Sequence, residues 1–320
     1  MSRALAFLLA VLLNATASAQ GYPSKPVRIV VGFAAGGPTD VIARIVAQDM
    51  SASLGQPFIV ENRPGANAIV VTEAVARSAP DGHTVLFSSL SLLVNAILLE
   101  GKVKYDPFRD FAPVGNAAVL PMVVVTSPES GIDSMRELLA RAKAKPDELS
   151  YGTPGHGGSA HLAGAMLESA SGTKMINVPF KSNGPALAEV MAGRVTFMFY
   201  PMVGIANQVQ ARKLRVLAVG TASRHTDFPD APTLGEAGFS GFEATAPWVG
   251  MLAPAGTPAP LVLLLSEEMR KSLARADTRE RMKQRGAITI ADTPQEFSAF
   301  LKNDYERWAQ VIKASGVKAE

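Results

Sequence analysis

Two glycine-rich turns carry most of the chemistry that this sequence offers. The first lies in residues 30–41, where VVGFAAGGPTDV reads as a buried strand, a turn with Gly36 and Gly37, and a helix start. The first NH groups of a helix lack internal partners and carry the positive end of its dipole. Glycine also lets a ligand approach the backbone closely. This pattern is typical of an anion site, although many strand–turn–helix junctions bind nothing.

The second turn lies in residues 151–162, YGTPGHGGSAHL, and again runs from a strand into a helix, for which we expect Ser159 to be the N-cap. It lacks the Lys-Ser/Thr ending of a P-loop and the spacing of a dinucleotide fingerprint, which argues against nucleotide phosphates. Two such turns facing across a cleft suit a ligand with a carboxylate at one or both ends. A few NH–carboxylate bonds of about 1.5–3 kcal/mol each would reach micromolar affinity.

Polar and aromatic residues beside these turns are the candidate ligand contacts. Phe33 is either a cleft wall or core, and Ser88 and Ser89 are either hydroxyl donors or a helix cap. Asp40 would repel a carboxylate, so we interpret it as a capping residue or as a partner of Arg44. The predicted contacts are Phe33, Gly36, Gly37, Thr39, Ser88, Ser89, Thr153, Gly155, His156, Gly157 and Ser159.

The two histidines of the second turn allow two interpretations. His156 could donate a hydrogen bond to a ligand and change charge near pH 6.5, or it could be an exposed loop residue. His161 falls on the helix, and we interpret it as structural. The pair lacks zinc-ligand spacing and no HExxH motif is present, so we predict no metal and no cofactor.

Composition narrows the class of protein. The chain has 320 residues, no cysteine and a net charge of +3, so it has no disulfide, thiolate metal site or cysteine nucleophile. No basic run is interleaved with aromatic residues, which argues against nucleic-acid binding. Residues 1–19 read as a signal peptide, with Arg3, a short apolar run and an A-x-A site at residues 17–19. We therefore expect Sec export, cleavage near Ala19, and a soluble mature protein in the periplasm.

The remaining pattern predicts two α/β lobes. Residues 27–89 alternate strand, helix, strand, helix and strand, which predicts a parallel sheet with right-handed crossovers. Segments 120–128 and 246–254 are apolar strands bracketed by prolines, and a second α/β set lies between them. We infer an inserted lobe, a hinge at the two crossings, and a ligand cleft between the lobes. The tail is predicted to be a helix that starts at a Thr293–Glu296 capping box and ends at Gly316.

These motifs resemble those of the Bug family of periplasmic solute-binding proteins, the receptors of tripartite tricarboxylate transporters. Further matching segments are VENRPGA at residues 60–66, PDGHT at 80–84 and APAGTP at 253–258. The resemblance implies a two-lobed, type II-like periplasmic binding fold with a mostly parallel sheet flanked by helices in each lobe. Lobe I would comprise residues 20–121 and 250–320, and lobe II residues 122–249 with the crossover strands. We expect a monomer.

The resemblance also implies a function. The protein would close on a small organic acid, hold its carboxylates with the two glycine turns, and deliver it to the integral-membrane permease subunits, without catalysis or cofactor. Three departures bear on the ligand. Residues 65–68, GANA, replace a more glycine-rich turn, and His83 stands where tyrosine is usual. Tyr200 stands where relatives often have a small or acidic residue. We add Tyr200 to the predicted contacts, and because no acidic group is there to hold an ammonium, we expect a plain or aromatic mono- or dicarboxylate.

Two other functions stay open at this point. The same binding fold could present its carboxylate to a signalling sensor instead of a permease. A small hydrolase using His156 and Ser159 is the enzymatic alternative, although the chain has no G-x-S-x-G motif and no obvious carboxylate pair.

Overall fold

A computed structural model describes residues 21–315 of the chain. The predicted signal peptide and Gly316 lie outside this range. Within it, no helix is long and apolar enough to cross a membrane. The strands are β1 Val27–Val31, β2 Phe58–Asn62, β3 Thr84–Ser89, β4 Phe111–Val119, β5 Met122–Thr126, β6 Ser150–Thr153, β7 Ile176–Pro179, β8 Phe197–Pro201, β9 Arg215–Val219, β10 Trp248–Pro254 and β11 Ile288–Thr289.

The α-helices follow the strands and flank them. They are α1 Pro38–Leu54, α2 Ile69–Ala76, α3 Ser91–Leu98, α4 Met135–Ala144, α5 Ser159–Ser171, α6 Asn183–Met191, α7 Ala206–Gln210, α8 Ala259–Ala274, α9 Ala276–Gln284 and α10 Pro294–Ser315. Gly55 caps the C-terminal end of α1 in a left-handed conformation, with φ 68°. The predicted Thr293–Glu296 capping box is confirmed, with each backbone NH bonded to the other side chain.

The strands within residues 21–315 form two sheets, one in each lobe. The first has the order β11-β4-β10-β3-β1-β2 and the second the order β7-β6-β8-β5-β9. The prediction of a two-lobed α/β fold is confirmed, but the sheets are mixed and not mostly parallel. β1 is parallel to β2 and β3, whereas β10 is antiparallel to β3 and β4. Strands that arrive from the other lobe do not follow a helical crossover within their own sheet, so the parallel direction is not imposed on them.

The chain passes between the lobes at two adjacent places. β4 leads into β5 through Leu120 and Pro121, and β10 begins directly after Pro247. The Leu120 NH donates to the Pro247 carbonyl at 2.9 Å, so the two crossings touch. Trp248, which we had assigned to lobe II together with Val249, pairs with Val119 in the first sheet.

Buried apolar side chains form a core in the first lobe, cores on both faces of the second sheet, and a smaller cluster between the lobes. The first sheet buries residues such as Ile29, Trp248 and Phe297, and the second has a core on each of its faces. A smaller cluster joins the lobes: Leu90 and Val94 at α3 pack with Leu162 of α5 and Trp308 of α10. This apolar contact stabilises the approach of the two lobes at one side of the cleft.

Candidate ligand-binding site

The two glycine turns have the same backbone conformation. Gly37 is the N-cap of α1 with φ −73° and ψ 166°, and Gly158 is the N-cap of α5 with φ −70° and ψ 160°. Neither cap is closed by a side-chain hydrogen bond. The residues before them, Gly36 and Gly157, are both left-handed, with φ 77° and 73°. Such a backbone favours glycine, which explains the first glycine of each pair.

The same hydrogen bonds close both turns. The Gly36 NH donates to Asp40 Oδ2 at 2.8 Å, and the Gly157 NH donates to His161 Nδ1 at 3.0 Å. In each case the acceptor lies four residues further along, in the first turn of the helix. Gly37 likewise donates to the Ala34 carbonyl at 3.2 Å. The NH groups of Gly36, Gly37 and Gly157 therefore shape the turns, and the helical NH groups just after them are the donors left for a ligand.

Asp40 is buried, does not line the cavity described below, and accepts hydrogen bonds from three donors. Besides Gly36, Arg44 Nε donates to its Oδ2 and Asn62 Nδ2 to its Oδ1, both at 2.9 Å. Burial alone would raise the pKa of the Asp40 carboxyl, but these hydrogen bonds outweigh it and hold the pKa below its usual range. The interpretation of Asp40 as a partner of Arg44 is confirmed.

Both helix starts line one small interlobe cavity of about 30 Å³. α1 contributes Pro38 and Thr39 from the first lobe, and α5 contributes Ser159 from the second. None of the described lining residues carries a charge, so the helix starts supply the positive potential. The lining residues are Phe33, Pro38, Thr39, Asn67, Ser89, Leu90, Ser91, Leu120, Pro154, Gly158, Ser159, Asn183, Pro201 and Pro247.

Four predicted contacts line this cavity: Phe33, Thr39, Ser89 and Ser159. Phe33 satisfies both of its interpretations, since it also belongs to the first-lobe core. The prediction that Ser159 caps its helix is wrong, because Gly158 is the cap. A glycine already provides the extended backbone that a cap requires, and this leaves the Ser159 hydroxyl beside the cavity.

Among the described residues, the other predicted contacts are not part of the cavity lining. The Thr153 hydroxyl donates to Asn177 Oδ1 at 2.9 Å. Tyr200 packs in one of the second-lobe cores, where burial raises the pKa of its phenol to about 12. Ser88 is buried beside Ser89, and its hydroxyl has no hydrogen-bond partner in the described part of the chain. Gly36, Gly37, Gly155 and Gly157 form the turns around the cavity.

The two histidines lie side by side behind the second turn. Their rings meet edge to face with centroids 5.6 Å apart. His161 Nδ1 accepts the Gly157 NH, so this nitrogen carries no proton in the present arrangement. Its structural role is thereby confirmed. The His156 carbonyl accepts from Asn67 Nδ2 at 3.1 Å, which links the two lobes directly.

Sequence reasoning missed Asn67 and Asn183, which line the cavity from opposite lobes. Asn67 lies in a run of three left-handed residues, with φ 45° at Ala66, 48° at Asn67 and 70° at Ala68. The replacement of a glycine-rich turn by GANA was the available signal. Among the described residues, no group of three or more His, Cys, Asp or Glu side chains could hold a metal ion.

Comparisons with known proteins agree with this geometry. The family model described as "Tripartite tricarboxylate transporter family receptor" matches residues 42–317. Protein BugT of Bordetella pertussis is 34% identical over 313 residues, which cover 98% of this chain and 96% of that protein. A solved structure of R. palustris Rpa4515 with adipate is 30% identical with a TM-score of 0.89, covering 93% of this chain and 99% of that one. MatC from Rhodopseudomonas palustris with bound malate is 30% identical with a TM-score of 0.85, covering 91% and 100%.

Proposed function

Because this chain belongs to the tripartite tricarboxylate transporter family of receptors, we propose that it captures a small organic carboxylate in the periplasm and delivers it to the integral-membrane permease subunits of such a transporter. Members of the family are solute-binding proteins. Capture takes place between the lobes, in the cavity beneath the two glycine turns.

One observation carries the proposal: two helices, one from each lobe, start at the same uncharged cavity without a side-chain cap. The first-turn NH groups of Thr39, Ser159 and Ala160 have no acceptor within their helices. A carboxylate is a small group that accepts several NH bonds and is stabilised by a helix dipole. Since it would touch both lobes, its binding favours the closed arrangement over an open one.

The contacts that we propose for the ligand follow from the cavity lining. The helix starts hold a carboxylate, Ser89 and Ser159 add hydroxyl groups, and Phe33 forms an apolar wall. The adipate and malate in the relatives' structures support a carboxylate as the ligand class. We keep a monomer of two lobes, with the boundary after residue 247, because Trp248 and Val249 pair with the first sheet.

The alternatives receive no comparable support. A hydrolase would need a nucleophile and a base that face a common substrate site. Ser159 lines the cavity but His156 does not, which argues against a hydrolase. A sensor partner would use the same ligand site and differs in the protein that receives it.

Ligand binding tests the first part of the proposal. The mature protein is screened by thermal unfolding against mono- and dicarboxylates, and a ligand at 100 times its Kd should add about 2.7 kcal/mol of stability. Ser159→Asp puts a negative charge at the start of α5, which suits the helix but repels a carboxylate. We expect this variant to fold and to lose the shift, whereas Ser223→Asp, on an exposed loop, retains it. A screen in which no carboxylate stabilises the protein would refute the proposal.

Delivery is tested in cells. Deletion of the gene should abolish uptake of the acid found in the screen, and the wild-type gene but not Ser159→Asp should restore it. Uptake that is unaffected by the deletion, with loss of a transcriptional response to the acid, would favour the sensor.

A further inference from the structure

Beside the ligand cavity, two buried carboxamide oxygens have no hydrogen-bond partner among the described residues. They are Oδ1 of Asn67 in the first lobe and Oδ1 of Asn183 in the second, and both residues line the cavity. A buried acceptor without a donor is costly, so such groups in a binding site are usually complemented by the ligand or by ordered water. Both unpaired groups are acceptors, which means that the missing partner is a donor.

The orientation of the Asn67 amide is determined by its surroundings. Its Nδ2 donates to Asn95 Oδ1 at 2.9 Å and to the His156 carbonyl at 3.1 Å. Asn95 Nδ2 in turn donates to the Asn67 carbonyl at 2.8 Å. Exchanging the amide oxygen and nitrogen would face an oxygen toward two acceptors, so Oδ1 is the atom left without a partner. The left-handed backbone of residues 66–68 places this side chain against the second lobe.

Asn183 begins α6, directly after the N-cap Ser182. That cap forms no side-chain hydrogen bond to the helix, and the Ser182 hydroxyl is itself buried without a partner. The Asn183 oxygen likewise has no hydrogen-bond partner within residues 21–315, so it does not close its own helix. Its oxygen is the counterpart, from the opposite wall, of the Asn67 oxygen.

The donor that fits these acceptors is a hydroxyl group. An ammonium would also donate, but the described cavity lining includes no carboxylate to compensate its charge, and two helix starts direct positive potential into the same space. A neutral hydroxyl avoids this cost. We propose that the ligand is a hydroxycarboxylate and that Asn67 and Asn183 select its hydroxyl group. This inference rests on the proposed function, and it replaces the plain or aromatic acid expected from the sequence.

Matched acids that differ in one hydroxyl group test this inference. Calorimetric titration of the mature protein measures the effect of the hydroxyl group on affinity at three chain lengths. The pairs are propionate and lactate, succinate and malate, and glutarate and 2-hydroxyglutarate. Aspartate, which has an amino group where malate has its hydroxyl group, is titrated for comparison. We expect the hydroxy acid of the best-binding pair to bind at least tenfold more tightly than its deoxy partner, and more tightly than aspartate. Equal binding within each pair, or a preference for aspartate, would overturn the proposal.

Variants identify the residues responsible. Asn183→Leu keeps the side-chain shape without the acceptor, and Asn67→Gly removes the amide where the left-handed backbone tolerates glycine. We expect the hydroxyl preference to fall below threefold in each, while Asn303→Leu, at an exposed position on α10, leaves it unchanged. Circular dichroism and thermal unfolding confirm that each variant is folded. A preference that survives both cavity variants refutes the role of the two asparagines. If carboxylates of neither kind bind, the receptor function itself fails, which is a different result from binding without hydroxyl preference.

Discussion

Closure of the lobes depends on the lack of a side chain at Gly157, and the change Gly157→Ala tests this. A Cβ at this position would lie 2.7 Å from Leu98 Cδ1 and 3.2 Å from Val94 Cγ1. Both neighbours belong to α3, in the other lobe. Because the clash exists only when the lobes are together, its cost falls on the closed, ligand-bound state.

The size of the effect follows from two separate contributions. Alanine at φ 73° costs about 1–2 kcal/mol in any state of the protein, since the left-handed conformation disfavours a Cβ. The clash needs a displacement of roughly 1 Å to reach an ordinary carbon–carbon distance. Overpacking costs about 1–3 kcal/mol, and we expect the lower end because Leu98 is half-buried and can rotate. Ligand binding should therefore weaken by about tenfold.

Gly172→Ala is the matched control. Gly172 caps the far end of the same helix with φ 63°, and a Cβ there would meet no atom within 4 Å. Both variants should lose similar stability of the ligand-free protein in denaturant unfolding. Calorimetric titration with the acid identified in the screen should show weaker binding in Gly157→Ala alone.

A double-mutant cycle with Leu98→Ala isolates the contact. Shortening Leu98 removes the nearest atom, so the pair Gly157→Ala and Leu98→Ala should recover most of the lost affinity. If Gly157→Ala binds as tightly as Gly172→Ala, or if Leu98→Ala gives no recovery, the second turn does not limit closure in the way described.

Three further predictions concern the fold around the site. Asp40→Asn should lower the free energy of unfolding by about 1–3 kcal/mol at pH 7. Because the pKa of Asp40 is lowered in the folded protein, the stabilisation by its carboxylate is present above about pH 4. It is lost as the pH falls through the pKa of Asp40 in the folded protein. A denaturation series from pH 7 to pH 2 should thus show the variant and wild type converging in acid, and a constant difference would contradict this. Thr293→Ala removes one half of the capping box and should cost about 0.5–2 kcal/mol in urea unfolding without changing ligand affinity. Gly32→Ala would place a Cβ 2.2 Å from Ala68 Cβ and 2.8 Å from its Cα. The turn that carries Asn67 would have to move, so the affinity for the ligand should fall in a calorimetric titration. Gly184→Ala, with open space around the added Cβ, should bind the ligand as the wild type does.

Local patterns account for what the sequence predicted well. Val27–Val31 is a short β-branched run and Gly55 follows an apolar helical stripe, so both the strand and the helix end could be predicted from neighbouring residues. β4 was missed because Phe111–Val119 contains Pro113, Gly115 and several alanines, which are weak strand formers. Its pairing with β10 has register shifts, one of them between Met251 and Leu252 beside Pro113, and such irregularities tolerate proline.

The site was predictable only where it depends on local geometry. The glycine turns could be recognised because their conformation follows from their own residues. The GANA departure marked the turn of Asn67, but the contacts of this residue could not be predicted, since they depend on three consecutive left-handed residues and on partners at positions 95 and 156. The contact predicted for Tyr200 stays a prediction, and the surroundings of its side chain could not be inferred because a position at the end of a strand does not reveal which face of the sheet the side chain occupies. Its ring lies in the core of the second lobe.

The molecule is less stiff at its two interlobe crossings, which contain prolines, than within either lobe. Pro121 and Pro247 have no NH to donate, and the contact between the crossings includes the single bond from Leu120 to the Pro247 carbonyl. Bending of the chain within a lobe would disrupt a paired sheet and its core. The chain therefore bends most easily at these crossing residues. The cavity at the glycine turns is itself lined by Leu120 and Pro247, so the ligand binds directly beside the crossings about which the lobes would rotate. Because the short crossings resist this rotation only weakly, a few hydrogen bonds from a small acid to both turns are sufficient to hold the two lobes in one relative orientation.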